Sequence, residues 1–153
     1  ELSIKHIWTR ILSIYGPMDN SYTMVMSAIN ALIKGEVSKF TKGEQLWDYL
    51  YSEDAANAFY LLGDKGKDQS VYCIGSGNAK PLYEYIDILK NNIDRNSTVA
   101  LGDIPYSDKQ VMHLCADISN LTEDTGFVPD TEFSEGIKKT IEWVKRVKYN
   151  EEN

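Results

Sequence analysis

Cysteine, positive charge and long apolar runs are all in short supply in this sequence. Two cysteines, Cys73 and Cys115, occur in 153 residues. That is too few for a disulfide framework, so a reducing cytoplasm is the expected compartment. No stretch approaches the roughly 20 consecutive apolar residues that a membrane span needs. Sixteen Lys and Arg against 23 Asp and Glu leave a formal net charge of −7. A negative, scattered charge argues against nucleic acid as the main partner, because phosphate backbones call for a basic surface. It leaves room for one small anionic ligand held by a local site. Hydrophobic residues make up 42% of the chain, an ordinary share that rules out wholesale disorder and collagen-like structure.

Several signatures of chemistry are also missing. His6 and His113 have no Cys, Asp or second His at ligand spacing, so no metal site is expected. Cys73 and Cys115 sit singly in apolar runs and read as core residues. There is no Gly-x-Ser-x-Gly to present a hydrolase nucleophile. Gly75-Ser76-Gly77 follows a strand and precedes a helix, but Lys80 stands where the dinucleotide fingerprint needs a third small residue. It reads as a glycine turn.

What is present is an alternation of short β-rich runs and helices, the mark of an α/β protein, over a length that suits one domain. Residues 4–14 read as a buried strand that begins almost at once. The opening Glu1-Leu2-Ser3-Ile4-Lys5 has neither an initiator Met nor a secretory signal, which suggests a fragment of something longer. A helix is expected over residues 22–34, with Gly35 as its stop. Phe40 and residues 48–51 should be extended, flanking a loop over 41–47. Ser52 is a good N-cap for a helix over 53–62 closed by Gly63. A strand over 70–74 follows. Pro81 should lie just inside the start of a helix carrying Tyr85, Ile86, Leu89 and Ile93. Extended pieces are expected at 98–101 and 111–115, a short helix from 117–119 to Gly126, and a last helix over 134–147. Residues 149–153 read as a loose tail after a single unit over 1–148.

The strongest local feature is the run from Phe40 to Tyr51. Its loop gathers the Lys42 cation, the Gln45 amide and the Trp47 indole, groups able to bind a polar ligand that carries rings. The alternative is a surface hairpin with one buried Trp.

Five segments in order resemble the C-terminal part of an extended short-chain dehydrogenase/reductase, in the NAD-dependent epimerase/dehydratase family that works on nucleotide sugars. They are Arg10-Ile11-Leu12-Ser13-Ile14-Tyr15-Gly16-Pro17, the run Gln45 to Ala56, Tyr72-Cys73-Ile74-Gly75-Ser76-Gly77, Ala116-Asp117-Ile118-Ser119, and Thr125-Gly126-Phe127-Val128-Pro129 continuing to Trp143. The resemblance implies the last elements of a Rossmann-type NAD(P)-binding fold, interleaved with a small mixed α/β substrate-binding domain.

The same resemblance implies roles. Ser13 takes the place of an Asn that touches the sugar nucleotide, and Trp47 that of an Arg that pairs with the diphosphate. Thr23 and Met24 lie on a substrate-contacting segment, and Lys39, Phe40 and Thr41 beside the nucleotide base. Ile11 and Leu12 would face the nicotinamide end of NAD. Ser13 shortens a donor, and Trp47 removes a bidentate anion clamp, so another cation such as Lys39 or Lys42 would have to serve the diphosphate.

The family's hydride exchange needs a Tyr with a Lys four residues later, whose nearby charge favours phenolate. None of the ten tyrosines has one, and the phosphate-cradling glycine loop is also missing. No catalytic residue is therefore expected in this chain. Its implied partners are a nucleoside-diphosphate sugar and a second copy of itself. A non-catalytic sugar-nucleotide sensor and a structural interaction module are the alternatives.

Overall fold

The computed structural model describes residues 4–151, with side chains through Val147. Nine strands and five helices are described in the order β1 (Trp8–Ile11), β2 (Ser13–Tyr15), α1 (Met24–Ile33), β3 (Ser38–Phe40), β4 (Leu46–Trp47), β5 (Tyr49–Tyr51), α2 (Ser52–Lys65), β6 (Val71–Ile74), β7 (Lys80–Pro81), α3 (Leu82–Ile93), β8 (Val99–Leu101), β9 (His113–Leu114), α4 (Ser119–Thr125) and α5 (Phe133–Glu151). The class is α/β. Pairings β1–β6, β2–β5, β3–β8 and β4–β9 are parallel, and β4–β7 is antiparallel. Each parallel pair joins strands separated by at least one helix, as parallel crossovers require.

Residues 4–14 do not form one buried strand. β1 and β2 are separated at Leu12 and pair with different partners, β6 and β5. Trp8 is 67% exposed and Ile11 53% exposed. Among the described residues β1 has a neighbour on one edge alone. Ile7 and Ile14 pack half-buried against one apolar cluster, and full burial begins just past the segment at Tyr15.

α1 begins later than expected because Thr23 is its cap, with the hydroxyl accepting from Met26 N. Its buried face, Val25, Met26, Ala28, Ile29 and Leu32, has the 3–4 spacing of a one-sided helix. Ser52 is not the cap of α2 but its first residue, after Tyr51. Gly63 is carried inside the helix, which stops at Gly66. Pro81 precedes α3 rather than opening it. α5 runs on to Glu151, so helix replaces most of the expected tail, and residues 152–153 lie outside the described residues. Cys73 is half-buried and Cys115 exposed, so neither is a core residue.

Two apolar clusters hold the elements together. One packs Tyr15, Tyr51, Phe40 and the inner faces of α1, α3 and α5; the other sets α2 and α4 against Leu50, Tyr72 and Ile74. The first contains a knot of rings, with Tyr85 and Tyr15 at 4.6 and 4.7 Å from Phe133, and Tyr49 at 5.1 Å from Tyr85. Gly136 makes this knot possible, because a Cβ there would strike the Tyr15 hydroxyl and lie 2.8 Å from the Tyr51 ring.

Asp48, fully buried between β4 and β5, ties three segments together. Its carboxylate accepts from Ser76 N at 2.8 Å, Ser76 Oγ at 2.6 Å, Gly77 N at 3.0 Å and Ala116 N at 2.9 Å. Gly75 allows the approach, since a Cβ there would sit 2.9 Å from the Asp48 carboxylate and against Ala116.

Replacing Asp48 with Ala strands these donors, so Asp48→Ala should lower unfolding free energy by about 3 kcal/mol or more. Asp48→Asn, which keeps one acceptor oxygen, should lose less. Urea denaturation of the two variants tests the ranking, and equal stability of Asp48→Ala and wild type would show that the carboxylate holds nothing.

Candidate functional site

Of the sequence-predicted residues, Ser13 at the start of β2 meets Trp47 at the end of β4, and Thr41 is bonded to Gln45 within the loop over residues 41–45. Ser13 registers with Tyr49 across the parallel β2–β5 pair. Trp47 lies on β4, a strand that forms inside the expected loop 41–47 and pairs with both β7 and β9. The indole Nε1 donates to Ser13 Oγ at 2.7 Å across 34 residues of sequence. Thus the two residues expected to differ most from the resembled pattern are bonded to each other. Trp47 is half-buried, unlike the buried Trp of a plain hairpin.

The other predicted residues divide by what their polar groups already do. Thr23 donates to the Asp19 carboxylate at 2.9 Å while capping α1, and Met24 is half-buried against the core. Lys39 is exposed and pairs with Asp103 at 3.4 Å. Phe40 is buried, so it shapes the floor beneath Lys39 and Thr41 instead of offering a ring to solvent. Thr41 Oγ1 accepts from Gly43 N and Gln45 Nε2, both at 3.3 Å. Gln45 is buried, and its Oε1 accepts from the Tyr106 hydroxyl at 3.1 Å. Tyr106 in turn accepts from Glu44 N at 2.9 Å, which makes the loop a closed network. Leu12 N donates to Ile74 O at 3.0 Å beside exposed Ile11, both remote in sequence from Trp47 but one strand end away from Ser13.

Sequence reasoning missed the neighbouring cavity, about 190 Å³, whose walls include Tyr49, Tyr85, Ser76, Asn78 and Lys80. Its residues are scattered over 85 positions of sequence from Tyr49 to Phe133, so no local pattern marks them. Burial, with Asp48 nearby, pushes the Tyr85 hydroxyl up to about 12. Burial also raises the Tyr49 hydroxyl above its ordinary value, helped by Tyr85 and Asp19. Both phenols therefore stay protonated near neutrality, and Tyr85 donates to Trp47 O at 3.0 Å.

The residues present do not fit the pyrophosphate of a dinucleotide. The amides of Ser76 and Gly77, which such a turn would aim at phosphate, are taken by Asp48. Among the described residues no group of three or more His, Cys, Asp or Glu could hold a metal ion. No described helix is long and apolar enough to cross a membrane.

The model of the NAD dependent epimerase/dehydratase family matches residues 1–75. A dTDP-glucose 4,6-dehydratase of Escherichia coli is 30% identical over 139 residues, covering 84% of this chain and 38% of that protein. The solved structure of a UDP-glucose 4-epimerase from Thermotoga maritima with UDP-glucose superposes with a TM-score of 0.86 at 24% identity, over 94% of this chain and 47% of the other. A dTDP-glucose 4,6-dehydratase from Bacillus anthracis in complex with NAD gives 0.82 at 19% identity, over 94% and 45%. The chain belongs to the NAD-dependent epimerase/dehydratase family of extended short-chain dehydrogenases/reductases, with a Rossmann-type α/β fold. It spans less than half the length of the curated relatives it matches.

The Ser13–Trp47 bond should be measurable. In a double-mutant cycle of Ser13→Ala and Trp47→Phe, the coupling energy should be about 1 kcal/mol. Strict additivity in chemical denaturation would mean that the two side chains act independently.

Proposed function

We propose that this chain is the substrate-gripping part of an NAD-dependent nucleotide-sugar epimerase or dehydratase whose hydride chemistry resides upstream of Glu1. The observation that carries the reading is the 2.7 Å bond from Trp47 Nε1 to Ser13 Oγ. It joins, at the strand ends, two positions that the family resemblance assigns to the sugar nucleotide and its diphosphate. Relatives of known structure supply the ligand class, being captured with UDP-glucose or with NAD.

In this reading Ser13 and Trp47 form the wall against the ligand. Trp47 offers a ring edge or face to a base or sugar, a contact worth about 1 kcal/mol. Lys39 and Thr41 lie toward the base, with Phe40 and Gln45 fixing the loop that carries them. Thr23 and Met24 position the start of α1, and Ile11 and Leu12 give apolar contact to the nicotinamide end of NAD. No group in the chain supplies the acid–base step, since no Tyr is followed four residues later by Lys. NAD is the cofactor of the larger protein, held chiefly by residues outside this chain. The cytoplasm suits its two unpaired thiols.

The same reading accounts for the exposed edge. β1 pairs with β6 alone among the described residues, and Trp8, Ile11 and Val71 stand in solvent. Parallel sheets are normally covered on both faces. In the larger protein the upstream Rossmann strands would cover this edge, and in the isolated chain a second copy is the proposed cover, by strand pairing or exchange.

Two measurements test these proposals. Calorimetric titration with UDP, dTDP and CDP should show saturable binding of at least one, weakened about 10-fold in Trp47→Ala. Absence of binding by all three would overturn the nucleotide reading. Light scattering after size exclusion should give a mass above one chain that falls toward the monomer in Trp8→Lys; a monomer at every concentration would overturn self-association.

A further inference from the structure

A diphosphate held by a chain of formal charge −7 needs a cation at short range. Three lysines are engaged by carboxylates. Lys39 pairs with Asp103, Lys67 with Asp124 and Lys139 with Glu53, while Lys42 is fully on the surface side of its loop. Lys80 and Lys90 are the half-buried lysines among the described residues. Lys90 lies in the last turn of α3, where its charge suits the helix terminus.

Lys80 stands apart. The antiparallel β4–β7 register sets it directly opposite Trp47. Side chains so paired rise from one face with their Cβ atoms about 5 Å apart. Lys80 also lines the 190 Å³ cavity, and no carboxylate among the described residues forms an ion pair with it. Beside it, Asn78 uses its backbone in the turn, donating to Ser76 Oγ at 3.1 Å and accepting from that hydroxyl at 3.2 Å. Its side-chain amide has no hydrogen bond to the described residues. The first two amides of α3 are taken, because Leu82 N donates to Gln45 O and Tyr83 N to Gly43 O.

We propose that Lys80 and Asn78 form a phosphoryl-binding subsite in this cavity, holding the diphosphate of a nucleoside-diphosphate ligand next to Trp47. The inference rests on the nucleotide-sugar reading and adds to it the group that carries the countercharge. Exposed Asp130 and Glu132 also line the cavity. Their carboxylates repel a bare anion but accept hydrogen bonds from hydroxyls, so the subsite favours a phosphate ester bearing a sugar over inorganic pyrophosphate.

The test is calorimetric titration of the natural chain that carries these residues with UDP, dTDP, CDP, the matching nucleoside and inorganic pyrophosphate. Lys80→Gln should weaken binding of the preferred nucleoside diphosphate about 10-fold while leaving the nucleoside unaffected. Lys80→Arg should recover most of the loss, and replacement of exposed Lys138 on α5, Lys138→Gln, should change little. Lys80→Met, which keeps the aliphatic stem without the charge, repeats the comparison if the amide variant is unstable. Wild-type binding that survives unchanged in Lys80→Gln and Lys80→Met overturns the subsite and leaves the nucleotide reading standing. No binding of any nucleoside diphosphate by wild type overturns that reading and the subsite with it. Tighter binding of pyrophosphate than of the nucleoside diphosphates would likewise overturn the subsite as drawn.

Discussion

One buried carboxylate sets the geometry on which the site depends. Asp48 sits between Trp47 and Tyr49, whose side chains belong to the candidate site, and its own oxygens reach the glycine turn after β6 and the chain after β9. A charge wholly removed from water is tolerable only when its lone pairs are met by well-aligned donors, and here four donors meet them. Strands β4 and β5 are two and three residues long, too short to hold their own register. The Asp48 contacts supply that register, and the position of Trp47 follows from it.

That arrangement also decides what the chain cannot do. A strand–Gly-x-Gly–helix turn normally directs free amides toward phosphate. In this chain the turn is turned inward and its amides are consumed by Asp48. Across the β4–β7 ladder, Lys80 stands opposite Trp47. The indole, bonded to Ser13, gives this wall shape and a ring in place of charge.

The loop over residues 41–45 shows the difference between a residue that touches a ligand and one that holds the shape. Gln45 looks like a ligand group because an amide in a polar loop offers donors and acceptors. In the folded chain its side chain is buried and bonded to Thr41 and Tyr106. Phe40 is likewise an interior ring. Lys39 and Thr41 keep their surface positions above this foundation.

The α/β alternation, the helix faces and the family were legible in the amino-acid sequence, because periodicity and turn chemistry act over a few residues and several short motifs recur in fixed order. Thus α1, α3 and α5 appear near the expected positions, each with its apolar stripe turned inward. The sequence also singled out Ser13 and Trp47 as unusual, though not as partners. Tertiary structure alone decided their contact, the break of residues 4–14 into two strands of different sheets, the inward turn of Gly75-Ser76-Gly77 and the assembly of a cavity from Tyr49 to Phe133. Each of these depends on groups dozens of residues apart, and which donor meets which acceptor is settled only when burial leaves no water to take its place.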